Sequence, residues 1–291
     1  MRTVYQVDAF TDRLFGGNPA GVVLGADGLD GATMQAIAGE LACSETAFVC
    51  AATRPGATHR VRFFTPAREV AVCGHATVAT FFTLAVRGVV DRAAVMECKA
   101  GDLPILVERD RDGKPVRVTM TQTKASFADA PFRGVVSQSV NLPPDAVAPK
   151  PPPGLVHVGE WVAVLPVTGV DALAHCTPQP QRIGALGGSR AVDGIYVVAL
   201  DTEAGPVARA RARFFGAGGL GIVEDPATGV AAGALAAWLA RHGRLATGDE
   251  LVIEQGVECR RASTIVARLT ADGRPEVSGA AVIAFETTLD V

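Results

Sequence analysis

Apolar residues fall along this chain in short runs, broken by glycine- and proline-rich turns. PAGVVL and TAFVCAA flank ATMQAIAGELA between residues 19 and 52. Short β-rich runs on either side of a helical spacing predict strand, helix, strand. The order recurs at 161–200 as WVAVLPV, QPQRIGAL and GIYVVAL. Two further stretches, around Ala76–Val86 and Gly229–Ala240, are rich in small apolar residues on every side. A helix apolar all round is a buried one, so each predicts a central helix wrapped by strands.

Self-comparison sharpens this into a duplication. Arg62-Phe63-Phe64 recurs as Arg213-Phe214-Phe215. Aligned without a gap, Ala76-Thr77 falls on Ala227-Thr228, and Cys73 falls on Glu224. The helical stretches end as LAVRG and LARHG, the second four residues later, about one turn. Asp112-Gly113-Lys114-Pro115 recurs as Asp272-Gly273-Arg274-Pro275, a turn before a strand. Two related halves follow: 1–122, with 279–291 as a candidate returning strand, and 123–278. The proline-rich stretch Ser126–Gly154 reads as a connection plus irregular edge.

Composition narrows the function. The 291 residues are 48% hydrophobic and 20% charged, enough for a sizeable core. A net charge of -3 offers no basic footprint for nucleic acid or anionic membrane. No apolar run is long enough to span a bilayer, and the N-terminus lacks a secretory pattern. Six scattered cysteines without CxxC or zinc spacing fit a reducing cytoplasm. GxGxxG after a strand, GxxxxGK[ST], GxSxG and HExxH are all absent, which removes the usual support for nicotinamide, nucleotide-hydrolysis, serine-hydrolase and zinc-protease readings.

The candidate chemistry lies at two helix starts and one junction. Gly74-His75-Ala76-Thr77 and Glu224-Asp225-Pro226-Ala227-Thr228-Gly229 each open a helix in this reading, with Asp225 as N-cap and Pro226 in the first turn. Unpaired N–H groups and a partial positive charge suit such ends to a carboxylate. Ser44-Glu45-Thr46 lies where helix gives way to strand. A carboxyl flanked there by apolar residues is partly desolvated, which raises its pKa toward acid–base use, although alone it reads as a turn residue. Asn18 in GGNP reads by spacing as a turn residue that is also able to reach a substrate. Cys73 reads as a small packed hydrophobe or, at a helix start, as a base.

Taken together, VDAFTDRLFGGNPAGVVL, SETAFV, FFTPAREVAVCGHAT, EDPATG, and LARHG with IEQG resemble the PhzF (phenazine biosynthesis-like) family, in the family's order and over nearly the whole chain. The resemblance implies an α+β, diaminopimelate-epimerase-like fold. Two pseudo-symmetric domains would each wrap a barrel-like, mostly antiparallel sheet around a central helix, with the active site in the cleft between them. It implies an isomerase needing neither metal nor organic cofactor, with Glu45 as general acid/base and His75 and Asp225 orienting a small anionic carboxylate. Asn18, Ser44, Gly74, Ala76, Thr228 and Gly229 would bind that substrate, and family members are often homodimers. Val230 stands where the family often has serine, which argues against the phenazine-pathway substrate itself. Two alternatives stay open: an amino-acid racemase or epimerase pairing Cys73 with Glu45 or Asp225, and a non-catalytic binding protein on the same fold.

Overall fold

The computed structural model describes residues 1–131, 133–201, 206–218 and 223–291. The chain divides into two compact units, Met1–Thr121 with Ser278–Val291, and Gln122–Val277. The first unit runs β1 (Arg2–Ala9), β2 (Asn18–Val23), α1 (Gly31–Leu41), β3 (Glu45–Ala51), β4 (His59–Phe64), β5 (Glu69–Val70), α2 (Gly74–Val86), β6 (Ala93–Cys98), β7 (Gly101–Arg109) and β8 (Pro115–Thr121). The second runs β9 (Ser126–Asp129), α3 (Arg133–Gln138), β10 (Gly154–His157), β11 (Trp161–Val167), α4 (Val170–Ala174), α5 (Pro180–Ala185), β12 (Val192–Leu200), β13 (Arg209–Gly216), β14 (Glu224–Asp225), α6 (Gly229–Arg241), β15 (Leu251–Gln255), β16 (Ser263–Leu269) and β17 (Pro275–Gly279). The final strand, β18 (Ala281–Leu289), pairs antiparallel with β1 along its length.

The same pairing pattern is written twice. In the first unit β1–β2 is antiparallel, β2–β3 parallel, β3–β4 antiparallel, β4–β6 parallel and β6–β7 antiparallel. In the second, β10–β11, β11–β12, β12–β13, β13–β15 and β15–β16 repeat that sequence of directions. Each parallel step needs a crossover, and α1 and α2 supply them in the first unit. The crossover from β11 to β12 uses two short helices, α4 and α5, in place of one.

Each unit buries its own central helix. α2 packs against β1, β2, β3, β7, β8 and β18, and its residues Gly74–Phe81 and Thr83–Ala85 are buried. Three threonines lie in that buried surface, and each returns its hydroxyl hydrogen to the preceding turn: Thr77 to the Cys73 carbonyl, Thr80 to Ala76 and Thr83 to Ala79. No side-chain hydroxyl of the helix is therefore buried unpaired, which would cost about 1–3 kcal/mol each. α6 packs against β10, β11 and β16, and every residue from Gly229 to Leu239 is buried. Gln122 approaches α6 so closely that a Cβ at Gly233 would collide with its amide oxygen, and the Gln122 amide donates to the Gly229 carbonyl.

The structure corrects the gapless alignment of the halves. In β4 and β5, Phe64 pairs with Glu69, and in β13 and β14, Phe215 pairs with Glu224. The four extra residues of the second half therefore fall between Phe215 and Glu224, not in the helix; both central helices have 13 residues. Gly74 corresponds to Gly229, His75 to Val230, Cys73 to Thr228 and Val70 to Asp225. An ion pair duplicated with the strands fixes this register. Arg62 binds Glu69 with two hydrogen bonds and lies over the Phe64 ring, and Arg213 binds Glu224 the same way and lies over Phe215.

Two further expectations are corrected. Asp225 is not a helix cap: it sits in β14, and α6 starts only at Gly229, with Thr228 as N-cap. The backbone from Asp225 to Thr228 is instead tied down by Gln255, as described below. The stretch Ser126–Gly154 is not a mere connection. β9 pairs with β10, and Val136, Val140, Leu142 and Val147 enter the core of the second unit. Its elements are too short, and supply too few apolar side chains each, for periodicity to show.

Candidate functional site

In the first unit, three elements deliver polar side chains to one buried spot. The turn before β2 passes so near β1 that a Cβ at Gly17 would strike the Ala9 carbonyl, and Gly17 has a φ of +56°. Only glycine accommodates both the crowding and the left-handed backbone. Asn18, the next residue, opens β2 and is 1% exposed. The parallel register of β2 on β3, Ala20 opposite Glu45, sets Asn18 beside the start of β3, where Ser44 and Glu45 lie. α2 brings His75 in its first turn, and both Glu45 and His75 are buried.

The contacts form a ring with one branch. Asn18 Nδ2 lies 3.2 Å from His75 Nδ1, Ser44 Oγ lies 3.1 Å from His75 Nε2, and Ser44 Oγ donates to Asn18 Oδ1 at 3.3 Å. Glu45 Oε2 branches from it, 3.3 Å from His75 Nε2. The turn reading of Asn18 is thus too small: the residue is a buried partner of the histidine.

Cys73 Sγ lies 3.3 Å from His75 Nδ1 and 3.9 Å from Nε2. An atom placed along the lone pair of one ring nitrogen lies far from the other nitrogen. Nearly equal distances put the sulfur against the ring face. There it packs, and it is not aligned to exchange a proton with the imidazole. Glu45, Cys73 and His75 bring their donor atoms within 4.8 Å of one another. With the sulfur on the ring face, however, it and the imidazole lone pairs do not converge on one point as ligands of a shared ion do.

Burial holds the His75 pKa down to about 3, against an ordinary value near 6.5. The cause is desolvation of the fully buried ring, which disfavours its charged form. The folded pKa lies below the unfolded one, so the unfolded chain takes up the proton first as pH falls. Stability is complete above about pH 6.5 and is lost progressively toward pH 3. His75→Gln is expected to flatten that acid decline in melting temperature between pH 7 and pH 4; an unchanged slope would contradict the buried neutral imidazole.

The second unit holds its own buried polar cluster. Gln255 in β15 accepts from Tyr196 Oη at 2.9 Å and donates to the Asp225 carbonyl at 2.7 Å and to Thr228 Oγ1 at 2.9 Å. The Thr228 N–H donates back to Gln255 Oε1 at 3.3 Å, and Thr228 Oγ1 donates to Asp225 Oδ2 at 2.5 Å. One side-chain amide thus holds the segment before α6 extended, which is why the helix starts late. Burial raises the Tyr196 pKa, so the phenol keeps its proton and stays a donor. Sequence reasoning assigned no role to Tyr196 or Gln255. The available signal was a glutamine at an inward position of the alternating strand LVIEQ. Gly74 and Ala76 lie buried in the first turn of α2, and Gly229 opens α6.

A duplicated α+β unit with a buried central helix, and with polar side chains gathered where that helix begins, defines the diaminopimelate-epimerase-like fold. The family model for phenazine biosynthesis-like protein (PhzC-PhzF) matches residues 7–287, and the chain belongs to that family. The PhzF-family phenazine biosynthesis protein of Bacillus anthracis superposes with a TM-score of 0.87 at 30% identity, over 100% of this chain and 99% of that one. The uncharacterized isomerase YddE of Salmonella typhimurium is 35% identical over 308 residues, covering 97% of this chain and 96% of its own. The trans-2,3-dihydro-3-hydroxyanthranilate isomerase of Pseudomonas aeruginosa is 32% identical over 277 residues, covering 94% of each. The protein is an isomerase of this family. Among the described residues, no helix is long and apolar enough to cross a membrane.

Proposed function

We propose that the protein isomerises a small carboxylate-bearing substrate by moving one proton, with Glu45 as the group that removes and returns it and with no metal or organic cofactor. The observation that carries this reading is the pairing of buried Glu45 with a neutral imidazole at 3.3 Å. A neutral histidine does not neutralise the carboxylate as a cation would, so Glu45 stays able to take a proton. It still supplies a fixed dipole to the carboxylate, worth more in a buried site than in water. The first-turn N–H groups of α2, at Gly74–Ala76, are the groups assigned to the substrate's carboxylate. Asp225 and Thr228, held by Gln255, are assigned to orienting the substrate.

Trans-2,3-dihydro-3-hydroxyanthranilate, the substrate in the name of the Pseudomonas relative, has the required features: a carboxylate and an unsaturated ring on which a proton can move. Val230 removes a hydroxyl that the family often places at this helix start, so the substrate assigned here is a less polar relative of that acid. The racemase reading needs Cys73 as one base, paired with Glu45 or Asp225; Cys73 lies on the ring face of His75, a packing position rather than one aligned for proton transfer with the imidazole.

The test is turnover of unsaturated and cyclic carboxylic acids in deuterium oxide, followed by NMR. Deuterium appearing at a carbon other than the one that lost hydrogen supports the isomerase. Exchange with inversion at a single Cα would overturn it in favour of the racemase, and binding without conversion of any acid would favour the binding protein. In the same assay Cys73→Ala is expected to keep turnover within about tenfold of wild type, because packing rather than proton transfer is lost.

A further inference from the structure

The ring of contacts among Asn18, Ser44 and His75 has a direction, and the direction decides what His75 offers Glu45. Ser44 Oγ donates to Asn18 Oδ1 at 3.3 Å, which leaves the Asn18 amide nitrogen to face His75 Nδ1 at 3.2 Å. An amide nitrogen only donates, so Nδ1 must accept and cannot carry the ring proton. The proton then sits on Nε2, which faces Ser44 Oγ at 3.1 Å and Glu45 Oε2 at 3.3 Å. Ser44, having given its own hydrogen to Asn18, has lone pairs free for that N–H. Each group in the ring donates once and accepts once.

We infer that Asn18 is a positioning residue that locks His75 as the Nε2–H tautomer, so that the ring carries its proton on the nitrogen nearest the Glu45 carboxylate, bonded to Ser44 Oγ. The reverse circulation requires the amide turned over, Nδ1–H donating to Asn18 Oδ1, and a bare Nε2 lone pair facing the lone pairs of Glu45. That arrangement sets two acceptors against each other at 3.3 Å in a buried place. By donating to Nδ1, Asn18 favours the circulation that keeps the protonated ring nitrogen beside Glu45. Glu45, Ser44 and Cys73 are the titratable or polar groups around the ring from β3 and from the N-cap of α2, and Asn18 is the one from β2. The consequence for Glu45 rests on its proposed role as proton carrier; the tautomer does not.

Long-range ¹⁵N–¹H correlation spectra of the uniformly labelled protein at pH 7 read the tautomer directly, with the His75 signals identified by their loss in His75→Gln. The expected wild-type pattern is a protonated Nε2 and an unprotonated Nδ1. In Asn18→Asp the new carboxylate only accepts, so Nδ1 is expected to gain a proton, with kcat/KM falling by about 10²-fold. Asn18→Gln, which keeps the amide, is expected to retain the wild-type tautomer. A wild-type Nδ1–H, or a folded Asn18→Asp protein whose Nδ1 stays unprotonated, overturns the inference. If Asn18→Asp does not fold, the wild-type and Asn18→Gln spectra still decide it. If Glu45→Gln keeps turnover while Nε2–H is seen, the proton-carrier role falls and the tautomer assignment stands.

Discussion

Glu45→Gln is expected to lower turnover by about 10⁴-fold or more while leaving the fold intact, the top of the range for a general acid–base group. The amide has nearly the shape of the carboxyl, so its place at the start of β3, 7% exposed, is kept. The amide neither takes nor returns a proton. Ligand affinity for small carboxylates should change little, because the helix-start N–H groups are untouched. Steady-state kinetics alongside a thermal-shift titration with the same acid separate the two effects. A variant within tenfold of wild-type turnover would remove Glu45 from the mechanism.

The largest loss of stability is expected at Arg213. Its side chain is 9% exposed and binds Glu224 at 2.7 Å and 2.8 Å. Its remaining amino group donates to the carbonyls of Leu173, Ala174 and Cys176, where α4 ends. Arg213→Ala strands a largely buried carboxylate and three carbonyls, a change worth about 3–5 kcal/mol. Arg213→Lys should recover little, since an ammonium cannot reproduce a planar fork that serves both sets of acceptors. The counterpart Arg62 is 27% exposed and shares Glu69 with Lys99. Arg62→Ala should therefore cost about 1 kcal/mol. Denaturant melts of the three variants check this, and equal losses at Arg213 and Arg62 would show that the carbonyl contacts contribute nothing.

The legible parts of this protein were those that repeat or that pack. The strands around ATMQAIAGELA and the all-apolar helices at Gly74–Val86 and Gly229–Arg241 follow from periodicity, because burial constrains every position in them. The Arg-Phe-Phe repeat revealed the duplication. Its register did not follow from sequence, because a four-residue insertion between Phe215 and Glu224 leaves Ala-Thr aligned by coincidence. Only the strand pairing, with its duplicated ion pair, shows which residues correspond. Glu45 and His75 stand at element boundaries, but their roles follow only from the family resemblance, since Glu45 by its neighbours alone reads as a turn residue. Asn18 was read as a turn residue because nothing local to GGNP shows a partner 57 residues away. Gln255 and Tyr196, 59 residues apart, were hidden for the same reason.

The return of β18 to β1 has a consequence for how the chain is made. β1 leaves the ribosome well before its partner β18, with the whole of Gln122–Val277 made in between. At about 5–20 residues per second, β1 waits on the order of ten seconds with one edge unpaired. The second unit is itself complete only at Val277, four residues before β18 begins, so the half that carries Glu45 stays open at β1 throughout the making of the other half and is sealed only when β18 follows. An open strand edge is a template for pairing with other chains. The risk of nascent-chain aggregation is therefore concentrated in the half that carries Glu45.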